Sequence, residues 1–65
     1  MVNSEKIRQL MSEKGITAKE MSERVGVTEM MMSYIKNGLR SPSVEVLVRI
    51  ANVLGCKVDD LIIEK

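Results

Sequence analysis

The stretch TAKEMSERVGVTEMMMSYIKNG, Thr17–Gly38, carries the reading of this chain. It opens with Thr17-Ala18-Lys19-Glu20, the spacing of a capping box, in which a hydroxyl and a carboxylate each satisfy the other residue's backbone N–H. Ala18, Met21 and Val25 then fall on one face of a helix. Gly26 closes that helix after about eight residues, because glycine takes the left-handed backbone at no steric cost. Thr28 caps a second short helix. Glu29 sits in its first turn, where the helix dipole favours negative charge. Met32 and Ile35 form its inward stripe, with Met31 beside it, and Asn37-Gly38 ends it. Two helices joined by only Gly26-Val27-Thr28 cannot lie as a long antiparallel hairpin. The spacing is that of a helix–turn–helix, about residues 17–37. Ser22, a small residue, lies where the two helices cross closely.

Working outward, Ile7, Leu10 and Met11 give a helical stripe from about Ser4 to Lys14, capped by Asn3 or Ser4 and ended by Gly15. Ile16 turns inward after it. Beyond Gly38 comes a polar loop, Leu39-Arg40-Ser41-Pro42-Ser43. Ser43 caps a fourth helix whose Val44, Leu47, Ile50, Ala51 and Leu54 keep a 3.6-residue period, and Gly55 ends it. A last short helix carries Val58, Leu61 and Ile62, with Asp59 and Asp60 near its start. Only Leu61-Ile62-Ile63 hints at a period of two. The expectation is an all-α chain, five short helices on one core, in a single domain spanning 1–65.

Composition narrows the function. Sixty-five residues leave no room for a second core. A 45 % hydrophobic and 29 % charged content is that of a globular domain. No apolar run approaches the roughly 20 residues that span a bilayer, and Met1–Glu5 lacks a signal-peptide pattern. One cysteine, Cys56, cannot form an internal disulfide and fits a reducing cytoplasm. There is no histidine, hence no His triad and no His-based metal site. No phosphate-cradling glycine loop and no metal-ligand cluster are present either. Glu20 and Glu23 are explained by capping and solvation. An enzyme is not expected, and neither a metal nor another cofactor. The net charge is +1, so any binding to nucleic acid rests on local arrangement and not on bulk basicity.

The ordered series Ile7-Arg8-Gln9-Leu10, Gly15-Ile16-Thr17, Glu20-Met21-Ser22, Val25-Gly26-Val27-Thr28, Ser33-Tyr34-Ile35-Lys36-Asn37-Gly38, Pro42-Ser43 and Leu47-Val48-Arg49-Ile50-Ala51 resembles the phage repressor and Cro-type, or XRE-like, helix-turn-helix family. The resemblance runs from about Ser4 to Ile62. It implies a compact five-helix repressor-like DNA-binding domain. It further implies a transcriptional regulator, expected to be a cytoplasmic, nucleoid-associated repressor, whose third helix enters the major groove of a double-stranded operator. A homodimer is expected, with no membrane association and no small-molecule ligand. Carried over by position, Thr28, Glu29, Met30, Ser33 and Tyr34 match base or groove contacts. Thr17, Lys36, Asn37, Arg40, Ser41 and Ser43 match phosphate contacts, and helix N-termini favour anions on physical grounds.

Some positions depart from the family's pattern. Ala18 stands where many members carry glutamine. Glu29 and Met30 stand where Gln, Arg, Ser or Asn are usual. Glutamate accepts from cytosine N4 and is repelled by phosphates, whereas methionine meets a thymine methyl without a hydrogen-bond code. An alternative follows from Ala18, Glu29, Met30 and the low net charge. It is a protein-interaction module on the same fold: an antitoxin, an antirepressor or a bridging cofactor. For Tyr34 the options are a phosphate or base contact, or a half-buried ring with its hydroxyl in water. Arg8, Lys19 and Arg24 are phosphate contacts or plain solvated charges. Cys56 reads as a small buried hydrophobe. Leu61-Ile62-Ile63 exceeds what one face of a short helix can bury, so Leu61 and Ile63 are the expected contacts between two copies.

Overall fold

The computed structural model describes residues 1–63. Four α-helices follow one another: α1 (Ser4–Lys14), α2 (Ala18–Val25), α3 (Glu29–Lys36) and α4 (Val44–Leu54). A single 3-10 turn, Val58–Leu61, stands where a fifth helix was expected. Among the described residues the all-α class holds, and the helix count is corrected to four. Val58–Leu61 has too few residues to build an α-helical ladder after its cap, so the tighter i to i+3 pattern takes over.

The caps lie where the side chains call for them. The Asn3 side chain accepts from Lys6 N (3.0 Å), and the Thr17 hydroxyl accepts from Glu20 N (3.1 Å). The Thr28 hydroxyl accepts from Met31 N (3.0 Å), and that of Ser43 from Val46 N (3.3 Å). Each supplies an acceptor to a backbone donor that the first helical turn leaves unpaired.

The core gathers Ile7 and Met11 from α1, Met21 and Val25 from α2, Met32 and Ile35 from α3, Leu47, Ile50, Ala51 and Leu54 from α4, and Leu61 from the last turn. Ile16, Met31 and Cys56 are partly buried against it. Burial is the main cause that pushes the Cys56 thiol above its ordinary value, with Asp60 adding to it and Lys6 and Lys14 opposing. That suits a packed thiol and not a reactive one. α2 packs most extensively on α3 and then on α4, while α3 packs on α2 and α1, so α2 links the second short helix to the longer α4.

The chain ends differ from expectation in two ways. Ile62 and Ile63 are not helical. Ile62 forms one antiparallel bridge with Val2, Asn3 N donates to Leu61 O (2.7 Å), and Ile63 N donates to Met1 O (2.8 Å). The backbone is extended at Ile62, but Leu61 and Ile63 do not share a face, so the period of two is not realised. Leu61 is fully buried, which corrects its expected role as a contact between copies. The bridge turns its side chain into the core and leaves Ile63, 41 % exposed, outside. Val44 is a further correction: it is 77 % exposed and is no part of the core.

Candidate nucleic-acid interface

The turn between α2 and α3 is held from three sides. Gly26 adopts φ +85°, a left-handed backbone that favours glycine. The Ser22 carbonyl accepts from both Gly26 N (2.8 Å) and Val27 N (3.0 Å), which closes the end of α2. From α4, Arg49 Nη1 donates to Val25 O (3.2 Å) while its Nη2 pairs with Glu45 Oε1 (2.6 Å). Ser22 is buried between the helices, and its hydroxyl donates to Lys19 O (2.6 Å), so close approach leaves no orphan polar atom.

With Met32 and Ile35 buried, the opposite face of α3 points outward. Glu29, Met30 and Tyr34 are exposed and Ser33 is half-buried. Met30 is 65 % exposed, although it is the kind of side chain that packing would bury. Thr28 is exposed as well, but its hydroxyl oxygen already caps α3.

The C-terminal end of α3 turns sharply into the following loop. The Tyr34 carbonyl accepts from Leu39 N (2.8 Å) and Arg40 N (3.3 Å), and Gly38 N donates to Ile35 O (3.2 Å). Gly38 has φ +76°, and a Cβ there would lie 3.0 Å from Ser4 Oγ. Arg8 Nη1 reaches across from α1 to the Lys36 carbonyl (2.7 Å). A groove of about 200 Å³ runs between α3 and the start of α4, floored by Val27, Met31 and Val46 and rimmed by Arg40, Ser41 and Ser43. Three of the expected phosphate contacts thus share one rim next to α3. Among the described residues the Arg40 side chain has no hydrogen-bond or ion-pair partner, the one ion pair being Arg49–Glu45.

Thr17 stands apart from that rim, at the start of α2. Its hydroxyl and amide are both within hydrogen-bond reach of Glu20 Oε1 (3.3 and 3.4 Å). The cap therefore places a carboxylate at this helix start. The amides of Ala18 and Lys19 remain, because the first intrahelical bond runs from Met21 N to Thr17 O (2.9 Å). Two supporting contacts were not read from sequence. The i, i+4 pair Glu45–Arg49 is a visible signal, but nothing local shows that the arginine reaches Val25, 24 residues away. The Arg8 contact with Lys36 has no sequence signal at all.

The arrangement is that of a helix-turn-helix domain. The model of the Cro/C1-type HTH DNA-binding domain matches residues 6–64, and the chain belongs to that family. It is 43 % identical over 49 residues to an uncharacterized HTH-type transcriptional regulator of Methanothermobacter thermautotrophicus, covering 75 % of this chain and 71 % of that protein. The N-terminal DNA-binding domain of SinR from Bacillus subtilis superposes with a TM-score of 0.84 at 33 % identity, covering 95 % of this chain and 91 % of that one. The P22 c2 repressor in complex with a synthetic operator superposes with a TM-score of 0.84, covering 91 % of this chain and 89 % of the other. At 24 % identity that likeness shows the fold. No helix among the described residues is long and apolar enough to cross a membrane.

Proposed function

We propose that this chain is a sequence-specific transcriptional regulator, in its simplest form a repressor, that inserts α3 into the major groove of operator DNA. The observation that carries the reading is Arg40, without a partner among the described residues, on the rim with Ser41 and Ser43 of the groove alongside α3. The SinR domain has been solved in complex with DNA, at 31 % identity to this chain and a TM-score of 0.79. In this reading Thr28, Glu29, Met30, Ser33 and Tyr34 face the groove. Lys36, Asn37, Arg40, Ser41 and Ser43 follow one backbone strand, and the free amides after Thr17 meet a phosphate of their own. A cytoplasmic location at the nucleoid belongs to the same reading.

A homodimer completes it. Two copies on a palindromic site must present α3 at points roughly 34 Å apart, one turn of DNA. The domain measures 31 × 22 × 19 Å, so two copies fit side by side on one face of the duplex. Ile63 and the exposed Met1 at the bridged chain ends offer the apolar contact between them.

Selection of bound duplexes from a randomised library tests this directly. An inverted repeat with half-sites one helical turn apart is the expected product. A single half-site removes the dimer. Arg40→Ala is expected to weaken binding to all duplexes alike and to flatten the log–log salt slope by about 0.9, the share of one neutralised phosphate. An unchanged slope takes Arg40 off the backbone. The second reading, a protein-docking module, is favoured by Ala18, Glu29, the low net charge and the exposure of Met30. It predicts no enriched duplex and little dependence on salt.

A further inference from the structure

We propose that α3 reads a C·G pair through the cytosine amino group and an adjoining T·A pair through the thymine methyl, with Glu29 and Met30 as the two specificity-determining residues. The inference rests on the proposed DNA reading and names the half-site chemistry it takes.

Residues 29, 30, 33 and 34 lie at i, i+1, i+4 and i+5, one contiguous patch on a helix. Glu29 and Met30 are the first two residues of α3, and both are exposed. The patch contains no arginine, lysine, asparagine or glutamine. Guanine presents two acceptors to the major groove, and its usual readers are bidentate Arg or Lys. The nearest such donors, Lys36 and Asn37, close the far end of α3. They stand about 10 Å along its axis from Glu29 and Met30. Thr28, whose oxygen accepts from Met31 N, keeps one O–H donor and cannot make the bidentate pair.

Glu29 has no hydrogen bond or ion pair among the described residues. Carried into the groove it is repelled by both phosphate strands, so it disfavours every duplex that offers it no donor. Only cytosine N4 and adenine N6 donate there. Adenine N6 is flanked by acceptors on both sides, its own N7 and thymine O4. Cytosine N4 has an acceptor, guanine O6, on one side only, with the C5 edge on the other. A carboxylate is therefore accommodated at cytosine and penalised at adenine. Met30, 65 % exposed, is an unbranched apolar chain one position along. The thymine methyl is the apolar group that the groove presents.

The test uses the half-site recovered by selection and base analogues placed in it. N4-methylcytosine at the pair facing Glu29 removes the groove-facing proton. It is expected to weaken binding by about tenfold or more, the scale of a hydrogen bond to a charged group. 7-Deazaguanine opposite it removes N7, one of the two acceptors that a bidentate cationic reader would use, and is expected to leave affinity unchanged. Deoxyuridine in place of thymine deletes one methyl, for an expected loss of about fourfold. That loss should vanish in Met30→Ala. Glu29→Gln is expected to move the preference at its position from C·G to A·T, because glutamine pairs with adenine N6 and N7. Both side chains are exposed, and unchanged melting confirms that the variants fold. Loss with 7-deazaguanine but none with N4-methylcytosine overturns this inference and leaves DNA binding intact. So does a half-site without adjoining C·G and T·A pairs. Absence of any enriched motif from folded protein overturns the DNA reading and this inference with it.

Discussion

Leu61→Ala is expected to destabilise the domain by about 2–5 kcal/mol, the range for removing most of a buried leucine and leaving a cavity. Leu61 is fully buried, and the turn that carries it packs on both α1 and α4. Its carbonyl also accepts from Asn3 N (2.7 Å), which ties the last turn to the start of α1. A single core in a chain of this size rarely supplies more than about 3–5 kcal/mol. One substitution near the C-terminus is therefore enough to leave much of the population unfolded. Urea denaturation followed by far-UV circular dichroism measures it. Ile63→Ser, two residues on and exposed, is expected to stay within about 0.5 kcal/mol. Equal and small losses from both substitutions would show that the last turn is not part of the core.

Gly26→Val is expected to cost about 3 kcal/mol and to lower the melting temperature by about 15 °C. A branched Cβ is strained at φ +85°. The new Cβ would also stand 3.3 Å from Arg49 Nη1, pressing on the guanidinium that holds the Val25 carbonyl. Backbone strain and a lost helix-end contact act together here. Gly26→Asn separates them, since asparagine tolerates the left-handed region better, and an expected loss of about 1 kcal/mol reflects that. Melting monitored by calorimetry decides the order. Valine at no greater cost than asparagine would mean that the turn relaxes, and that the angle between α2 and α3 is not set there.

Much of the architecture was legible because its signals are local. A Thr or Ser that caps a helix acts on an amide three residues away, so Thr17, Thr28 and Ser43 mark their helices with no knowledge of the rest of the chain. The same holds for the outward face of α3, which is the complement of Met32 and Ile35. Where periodicity misled, it gave a direction and not what lies opposite. Val44 and Ala51, seven residues apart on one helix, point almost the same way, yet one is 77 % exposed and the other 2 %. The first turn of α4 is covered on the side of Val46 and Leu47, and Val44 lies off that side. Leu61-Ile62-Ile63 misled for a related reason. Its partner is the N-terminal segment at the other end of the chain, and backbone pairing with Val2, which no local pattern announces, set which side chain turned inward.

The candidate site divides along the same line. Short-range chemistry in the chain specified which residues α3 turns outward, where α2 and α3 begin and stop, and that their connection needs glycine. Packing in three dimensions settled the rest: the groove that sets Arg40, Ser41 and Ser43 beside Met31, the Arg49 brace on Val25, and the Arg8 contact at the end of α3. Those contacts join residues distant in sequence, and each depends on the angles at which the helices cross. The crossing angles follow from how the core side chains interlock, a property of all four helices together and of none of them alone.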